Sequence, residues 1–221
     1  MDNSAVTDVA VLVSGGLDSS VLAVHLSDSN YHVYPIYIQH GLYWEATERD
    51  HLTRFLCAVA RPNIAELKIL ELPVTDMYES HWSVSGNNVP DENTQDDAVF
   101  LPGRNLLLLA KASVWCSLTG IRTIALAPLS GNPFADNSNA FYRAIEQSIQ
   151  ISSGQNMDII RPFSNMSKDQ VLQLGGKLPL HLTFSCIRPH KGLHCGRCNK
   201  CAERKLAYHR LGIEDATPYA T

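Results

Sequence analysis

Apolar residues alternate along this chain between short unbroken runs and longer stretches with a helical repeat. Ala10 to Val13 is the first short run, of the kind a strand shows when both faces of its sheet are covered. Gly15 and Gly16 follow as a turn. Ser19 and Ser20 open an amphipathic helix that carries Val21, Leu22, Val24 and Leu26. His32 to Ile38 reads as a second strand, with Pro35 expected in its early part or at a bulge. Gln39-His40-Gly41 then makes a turn. Glu45 to Ala60 reads as a helix with Leu52, Phe55, Leu56 and Val59 on one face, and Ile64 to Leu70 as a third strand. Leu106 to Leu118 is a strongly apolar helix, expected to be buried. Thr123 to Ala127 is a fourth strand, Ala140 to Ile151 a helix and Met157 to Arg161 a short fifth strand. Ser167 and Gln170 have capping-box spacing ahead of Val171, Leu172 and Leu174. Strands that alternate with helices imply a parallel α/β sheet. Ligands in such sheets lie beyond the carboxyl ends of the strands. The Gly15-Gly16 turn, Gln39-His40 and the turn-rich loop from Pro128 to Asn139 all fall at such ends.

One stretch breaks the rhythm. Glu71 to Phe100 holds Pro73, His81, Trp82, Gly86, Asn87, Asn88 and Pro90, then the acidic residues Asp91, Glu92, Asp96 and Asp97. A segment this long without a pattern reads either as a functional lid or as a solvated excursion.

The chain has 221 residues, 45% of them hydrophobic, which is enough for one sizeable core and a small appendage. A net charge of -4 argues against a broad nucleic-acid-binding face. Met1-Asp2-Asn3-Ser4 is polar and lacks a basic region followed by an apolar signal segment. No apolar run approaches the length that crosses a bilayer. A cytoplasmic protein without membrane partners is expected. Four of the six cysteines crowd into Cys186 to Cys201, which in a reducing compartment suggests a metal before disulfides.

The chemistry concentrates in two places. The first is Leu12-Val13-Ser14-Gly15-Gly16-Leu17-Asp18-Ser19-Ser20, a strand, a glycine turn and a helix start. Glycine there lets the backbone approach a ligand, and the helix N-terminus favours an anion. It is not a Walker A loop, since no Gly-Lys-Ser/Thr follows, and it is not Gly-x-Gly-x-x-Gly. The bland reading is a tight turn with no ligand. The second is Cys186, Cys195, Cys198 and Cys201, spaced C-x8-C-x2-C-x2-C. Four thiolates suit tetrahedral Zn2+, which would contribute about 10 kcal/mol to ordering a loop-rich tail. An iron–sulfur cluster, a metal-free cluster or a redox pair at Cys198 and Cys201 would compete with that reading. Cys57 and Cys116 lie in apolar helices and are expected to be inert core residues. His181, His190 and His194 flank the four cysteines as surface or supporting groups rather than ligands.

The string Ser14 to Ser19 resembles the pyrophosphate loop of the PP-loop ATP pyrophosphatases. Together with the cysteine tail it resembles the 7-cyano-7-deazaguanine synthase family over nearly the whole chain. The match includes Gln39 after the second strand, Pro102-Gly103-Arg104-Asn105 before the apolar helix, and Ser167-Lys168. It continues through Thr183-Phe184-Ser185-Cys186, then Cys195-Gly196, Cys198, Cys201 and Arg204, and ends at Asp215-Ala216-Thr217-Pro218-Tyr219. The resemblance implies a Rossmann-like parallel sheet with helices on both faces over residues 1–180. It also implies a small zinc-binding region over 181–221, and a homodimer. It implies conversion of 7-carboxy-7-deazaguanine and ammonia to 7-cyano-7-deazaguanine with ATP and Mg2+. The carboxylate is adenylated, ammonia displaces AMP to give an amide, and a second activation of the amide oxygen yields the nitrile.

On that reading the residues from Leu12 to Ser20 bind ATP and its pyrophosphate. Asp18, Arg104 and Lys168 are the catalytic candidates. Asp18 either caps the helix or positions Mg2+, and Arg104 and Lys168 stabilise phosphate charge. Arg161 and Arg188 are weaker candidates. The substrate-binding candidates are Gln39, His40, Glu45, Arg104, Asn105, Asn132, Phe134 and Asp136. Trp44, His81 and Trp82 are further loop aromatics available to stack on a planar base.

Two stretches depart from the family. Where its members carry Gln-Arg-His, this chain reads Gln39-His40-Gly41-Leu42-Tyr43-Trp44-Glu45. Where they carry Tyr-Pro-Asp-Cys-Arg, it reads Gly131-Asn132-Pro133-Phe134-Ala135-Asp136-Asn137. These departures leave open a paralogue that uses another amine or stops at the amide. More distant readings are a PP-loop enzyme that acts on tRNA and a non-catalytic nucleotide-binding module.

Overall fold

The computed structural model describes residues 6–220, so Met1 to Ser4 lie outside the described residues. Its centre is a five-stranded sheet in the order β3-β2-β1-β4-β5, with every neighbouring pair parallel. The strands are β1 (Thr7–Leu12), β2 (Tyr31–Gln39), β3 (Lys68–Glu71), β4 (Thr123–Ala125) and β5 (Asp158–Ile160). The helices are α1 (Leu17–Asp28), α2 (Glu45–Ala58), α3 (Thr75–Tyr78), α4 (Trp82–Ser85), α5 (Arg104–Thr119), α6 (Asn139–Ser153), α7 (Lys168–Leu174) and α8 (Asn199–Leu211).

β1 shows why the sheet is covered twice. Val9, Val11 and Val13 pack on one side with Val21 and Leu22 of α1, Leu172 of α7 and Tyr208 of α8. Ala10 and Leu12 point the other way, into Leu109, Ala112 and Cys116 of α5 and Ile145 and Ile149 of α6. The unbroken apolar run is thus a period-2 pattern with both phases apolar. Strand order reverses direction between β1 and β4. This is the switch point at which open α/β sheets leave a crevice beyond the strand ends.

Four expectations need correction. The third strand begins at Lys68, and Ile64 makes only an isolated bridge to Val33. Val33 N–H donates to Asn63 O, and Val33 O accepts from Ala65 N–H, so the odd residues of β2 turn their polar groups toward β3. Pro35 is such a residue and has no N–H to offer. It sits mid-strand, in the gap between that bridge and Lys68. Second, α5 is only half buried. Leu109, Ala112 and Cys116 face the sheet, whereas Leu106, Val114 and Leu118 are 47%, 62% and 82% exposed. An outer-layer helix buries one stripe whatever its overall hydrophobicity. Third, Cys57 is exposed, because it falls off the stripe that carries Leu52, Phe55 and Val59 into the core. Fourth, residues 71–100 are not a free solvated excursion. Val74, Val89 and Leu101 share a core with Phe184, Cys186, Ile187, Cys198 and Cys201. Asp91 bridges Cys198, and Asn199 donates through Nδ2 to Thr94 O and Asp96 Oδ1.

Capping at α7 is as expected: Ser167 accepts from Gln170 N–H and Gln170 accepts from Ser167 N–H. No helix among the described residues is long and apolar enough to cross a membrane.

Candidate active site and metal centre

The loop between β1 and α1 is stitched by its own hydroxyls. Ser14 N–H donates to Ser19 Oγ at 3.1 Å, and Ser19 Oγ donates to Gly16 O at 3.2 Å. Gly15 has φ +75, and a Cβ there would lie 3.1 Å from Glu48 O and 3.3 Å from Leu52 Cβ. Only glycine fits both the backbone and the space. Phe184 N–H donates to Gly15 O at 2.7 Å, which ties the tail directly to the loop. The first N–H groups of α1 lack intrahelical acceptors and open toward the crevice.

Asp18 does not cap α1; Gly16 occupies the cap position, with no side-chain hydrogen bond there. Asp18 Oδ2 instead accepts from Lys168 Nζ at 2.7 Å, and its Oδ1 is buried without a partner among the described residues. Lys168 also reaches Glu203 at 3.3 Å, and Lys200 pairs with Glu203 at 2.8 Å. Burial alone would raise the Glu203 pKa, but Lys168 and Lys200 outweigh it and hold it at about 2. Burial likewise disfavours the charged form of Lys168, and Asp18 and Glu203 overcome this and raise its pKa.

Two cavities meet at this loop. One, of about 230 Å³, opens beyond the ends of β1, β2 and β4 and has Leu12, Ile36, Ile38, Leu108 and Leu126 in its wall. The other, of about 330 Å³, is bounded by Lys168, Lys200, Glu203 and Arg204 on one side and Trp44, Trp82 and Leu101 on the other. The rings of Trp44 and Trp82 stack with centroids 5.7 Å apart and planes 19° apart. Ser14, Gly16, Asp18, Glu48, Arg104 and Asn132 border both cavities.

Of the residues singled out in the sequence, Leu12, Val13, Ser14, Gly16, Asp18 and Ser19 line the smaller cavity, and Leu17 and Lys168 the larger. Ser20 is fully buried, and its hydroxyl has no partner among the described residues. Arg104 and Asn132 border both spaces, and Asn105 borders the smaller one while donating to Asp136 O. The Phe134 ring lies tilted against Phe100 with centroids 4.8 Å apart, in a neighbouring recess that also holds Asp18 and Lys168. Asp136 keeps a buried Oδ1 with no partner among the described residues. The other three candidates stand apart. Gln39 accepts from Arg49 at 2.8 Å. Glu45 accepts from His40 N–H and Gly41 N–H, both at 2.6 Å, and so staples the turn after β2. His40 is buried, with Nδ1 2.9 Å from Leu72 O, and burial lowers its pKa. Arg161 lies over the Tyr142 ring and donates to Asn139, while Arg188 borders a surface recess near the cysteines.

Two carboxylates escaped the sequence reading. Glu203 carries no local signal. Glu48 does carry one, as a charge on the apolar stripe of α2, one turn before Leu52. It is buried and accepts from Tyr37 O–H at 2.7 Å. Burial raises its pKa to about 7, against the pull of Arg104 and the Tyr37 bond.

The four cysteine sulfurs lie within 4.8 Å of one another, with Cys186 and Cys198 at 3.8 Å and Cys195 and Cys201 at 4.0 Å. These separations are too long for a disulfide, whose S–S length is about 2.05 Å. They match a tetrahedron around one ion, since arms of about 2.3 Å give edges of about 3.8 Å. A multi-iron cluster places its own sulfides between thiolates and spreads them wider. Backbone N–H groups of Arg188 and Cys195 point at Cys186 Sγ, and those of Arg197 and Cys198 at Cys195 Sγ. Such bonds favour thiolates. His194 is buried and accepts from Ser185 N–H, whereas His181 and His190 are exposed. Arg204, also buried, clamps the tail through Thr217, Thr183 and Leu180 O at 2.8–2.9 Å.

Comparison with known proteins finds relatives over most of the chain. A 7-cyano-7-deazaguanine synthase of Caldicellulosiruptor saccharolyticus is 28% identical over 95% of this chain and 94% of its own length. The 7-cyano-7-deazaguanine synthase 1 of Desulfitobacterium hafniense is 29% identical over 90% of both. The protein of the same name from Saccharolobus solfataricus is 28% identical over 96% of this chain, which spans only 47% of that relative. Among solved structures, a 4-thiouridine synthetase–RNA complex with bound ATP shares the fold at TM-score 0.52 and 14% identity, over 93% of this chain and 50% of that one. A predicted tRNA methyltransferase subunit from Methanocaldococcus jannaschii does so at TM-score 0.51 and 17% identity, over 78% and 75%. The family of the queuosine biosynthesis protein QueC matches residues 8–212, and the chain belongs to that family.

Proposed function

We propose that this protein is an ATP-dependent synthase that adenylates 7-carboxy-7-deazaguanine and converts it with ammonia to the nitrile. The observation that carries the reading is the meeting of two unlike cavities at the Ser14–Ser19 loop. The apolar walls at Leu12, Ile38 and Leu126 suit an adenine ring. The larger space, with Trp44 and Trp82, suits a planar bicyclic acid. The acid's carboxylate oxygen attacks the α-phosphate at the junction, and pyrophosphate leaves. The N–H groups that open α1, with Lys168, stabilise the departing charge, and Arg104 steadies the adenylate. Ammonia attacks the acyl carbon and AMP departs, leaving the amide. The amide oxygen is adenylated in turn, and loss of AMP and a proton gives the nitrile. Asp18, through its free oxygen, would hold Mg2+, which neutralises phosphate charge when bound. Cys186, Cys195, Cys198 and Cys201 would hold Zn2+, which orders the tail that is tied to the loop through Phe184. Residues 1–180 as the ATP-binding part, residues 181–221 as the metal-binding tail, a homodimer and a cytoplasmic location belong to the same proposal.

A second reading has one specific support. Gln39 is engaged by Arg49, and the family's Gln-Arg-His is replaced by Gln39-His40-Gly41. On that reading the enzyme stops at the amide or takes another amine. Exchange of labelled pyrophosphate into ATP tests the adenylation that both readings share. Exchange that depends on 7-carboxy-7-deazaguanine, and is absent with benzoate, supports adenylation of this acid. Absence of exchange with both acids refutes it.

A further inference from the structure

We infer that Glu48 is the base that takes a proton from the attacking ammonium ion, a role that rests on the synthase reading above. Near neutral pH, ammonium, like the alkylammonium group of lysine, keeps its proton and has no lone pair to attack with. A proton acceptor is therefore needed where the acyl carbon lies, and that point is the junction of the two cavities. Of the residues that border both, only Asp18 and Glu48 are carboxylates. Asp18 is committed to Lys168 at 2.7 Å. Glu48 makes no ion pair within 4.0 Å among the described residues; it accepts from the Tyr37 hydroxyl at 2.7 Å, and the Trp44 side chain is a second donor.

Position supports the role as much as identity does. Glu48 Cγ would lie 3.3 Å from a Cβ on Gly15, so the side chain runs along the pyrophosphate loop itself. Trp44, one turn earlier, borders the larger cavity with it, and an aromatic ring beside a carboxylate suits a small cation. The groups that act on Glu48 are Arg104, Tyr37, Trp44 and Glu45. Burial outweighs them and sets its pKa at about 7, where a carboxylate both ionises and accepts a proton readily. In the step, the Glu48 carboxylate takes one N–H proton. The freed lone pair forms the C–N bond, and the acyl C–O bond breaks. AMP leaves with that electron pair and carries off the second proton on its phosphate. Glu48 then returns its proton to water.

Hydroxylamine separates this role from a structural one, because it is already unprotonated near neutral pH. Full-length wild type, Glu48→Gln and Glu48→Asp would be given ATP, Mg2+, 7-carboxy-7-deazaguanine and either ammonium or hydroxylamine. Products would be quantified by mass spectrometry. The ratio of amide plus nitrile to hydroxamate is expected to fall about 100-fold or more in Glu48→Gln. It should recover in part in Glu48→Asp, and in Glu48→Gln as pH is raised until free ammonia predominates. If both products fall together in Glu48→Gln, or neither does, the ratio is unchanged and the base role is overturned while the synthase reading stands. If wild type makes no pyrophosphate from the acid, the synthase reading falls and the base role with it.

Discussion

Replacing Glu48 by Gln should stabilise the folded protein above neutral pH and leave it nearly unchanged in mild acid. The carboxyl is buried, and its folded pKa is about 7 against an ordinary 4.5. As pH rises through that window, the unfolded chain releases this proton first and the folded chain holds it longer. Stability therefore falls with rising pH, and the loss is complete once pH passes the folded value. The shift is roughly two to three units at about 1.4 kcal/mol each, or about 3 kcal/mol in all. Glutamine keeps the size and an acceptor for Tyr37 O–H but cannot ionise. Every other titrating group is common to both proteins, so the difference between their stability curves isolates Glu48. Urea unfolding at a series of pH values from about 4 to about 8.5, followed by tryptophan fluorescence, measures it. A difference near zero in acid that grows to about 3 kcal/mol is expected. A flat difference would mean that Arg104 and Tyr37 fully compensate burial, and that Glu48 is an ordinary carboxylate.

Other perturbations give distinct outcomes. Lys168→Met leaves Asp18 and Glu203 without their shared cation, and pyrophosphate release should fall about 100- to 1000-fold. Stopped-time pyrophosphate assays check this, and a loss under tenfold would remove Lys168 from the reaction. Gly15→Ala forces a left-handed residue and sets a Cβ 3.1 Å from Glu48 O, at a cost of about 1–3 kcal/mol. Thermal melting should drop by several degrees; an unchanged melt would show that the loop gives way. Cys198→Ser should lower bound zinc well below one ion per chain, measured by elemental analysis, and expose residues 181–220 to protease. Wild-type metal content in that variant would assign the ion to other ligands.

Much of this architecture was legible because its causes are local. The apolar run around Ala10, the capping box at Ser167 and Gln170, and the cysteine spacing each express a short-range rule. What was hidden depends on partners distant in the chain. The start of β3 is decided by a proline on β2, because the missing N–H belongs to the neighbouring strand. Residues 71–100 look patternless because their apolar side chains pack on the cysteine tail rather than on one another. The exposed side of α5 is invisible to composition, since Leu118 and Leu109 read alike until the sheet chooses between them. Glu48 escaped the sequence reading, although it is a charge on the apolar stripe of α2. Its place beside Gly15 requires the loop and α2 to be packed together. The turn at Gln39 shows the converse, a residue noted for its position that turns out to hold Arg49.

The most direct test of the central claim is product analysis with the intact protein. It would be incubated with ATP, Mg2+, ammonium and 7-carboxy-7-deazaguanine, beside an Asp18→Ala control. Mass spectrometry should find 7-cyano-7-deazaguanine, AMP and pyrophosphate in the wild type and none in the control. Amide without nitrile would mean a ligase that halts after the first adenylation. No acid-dependent AMP in the wild type would contradict the account.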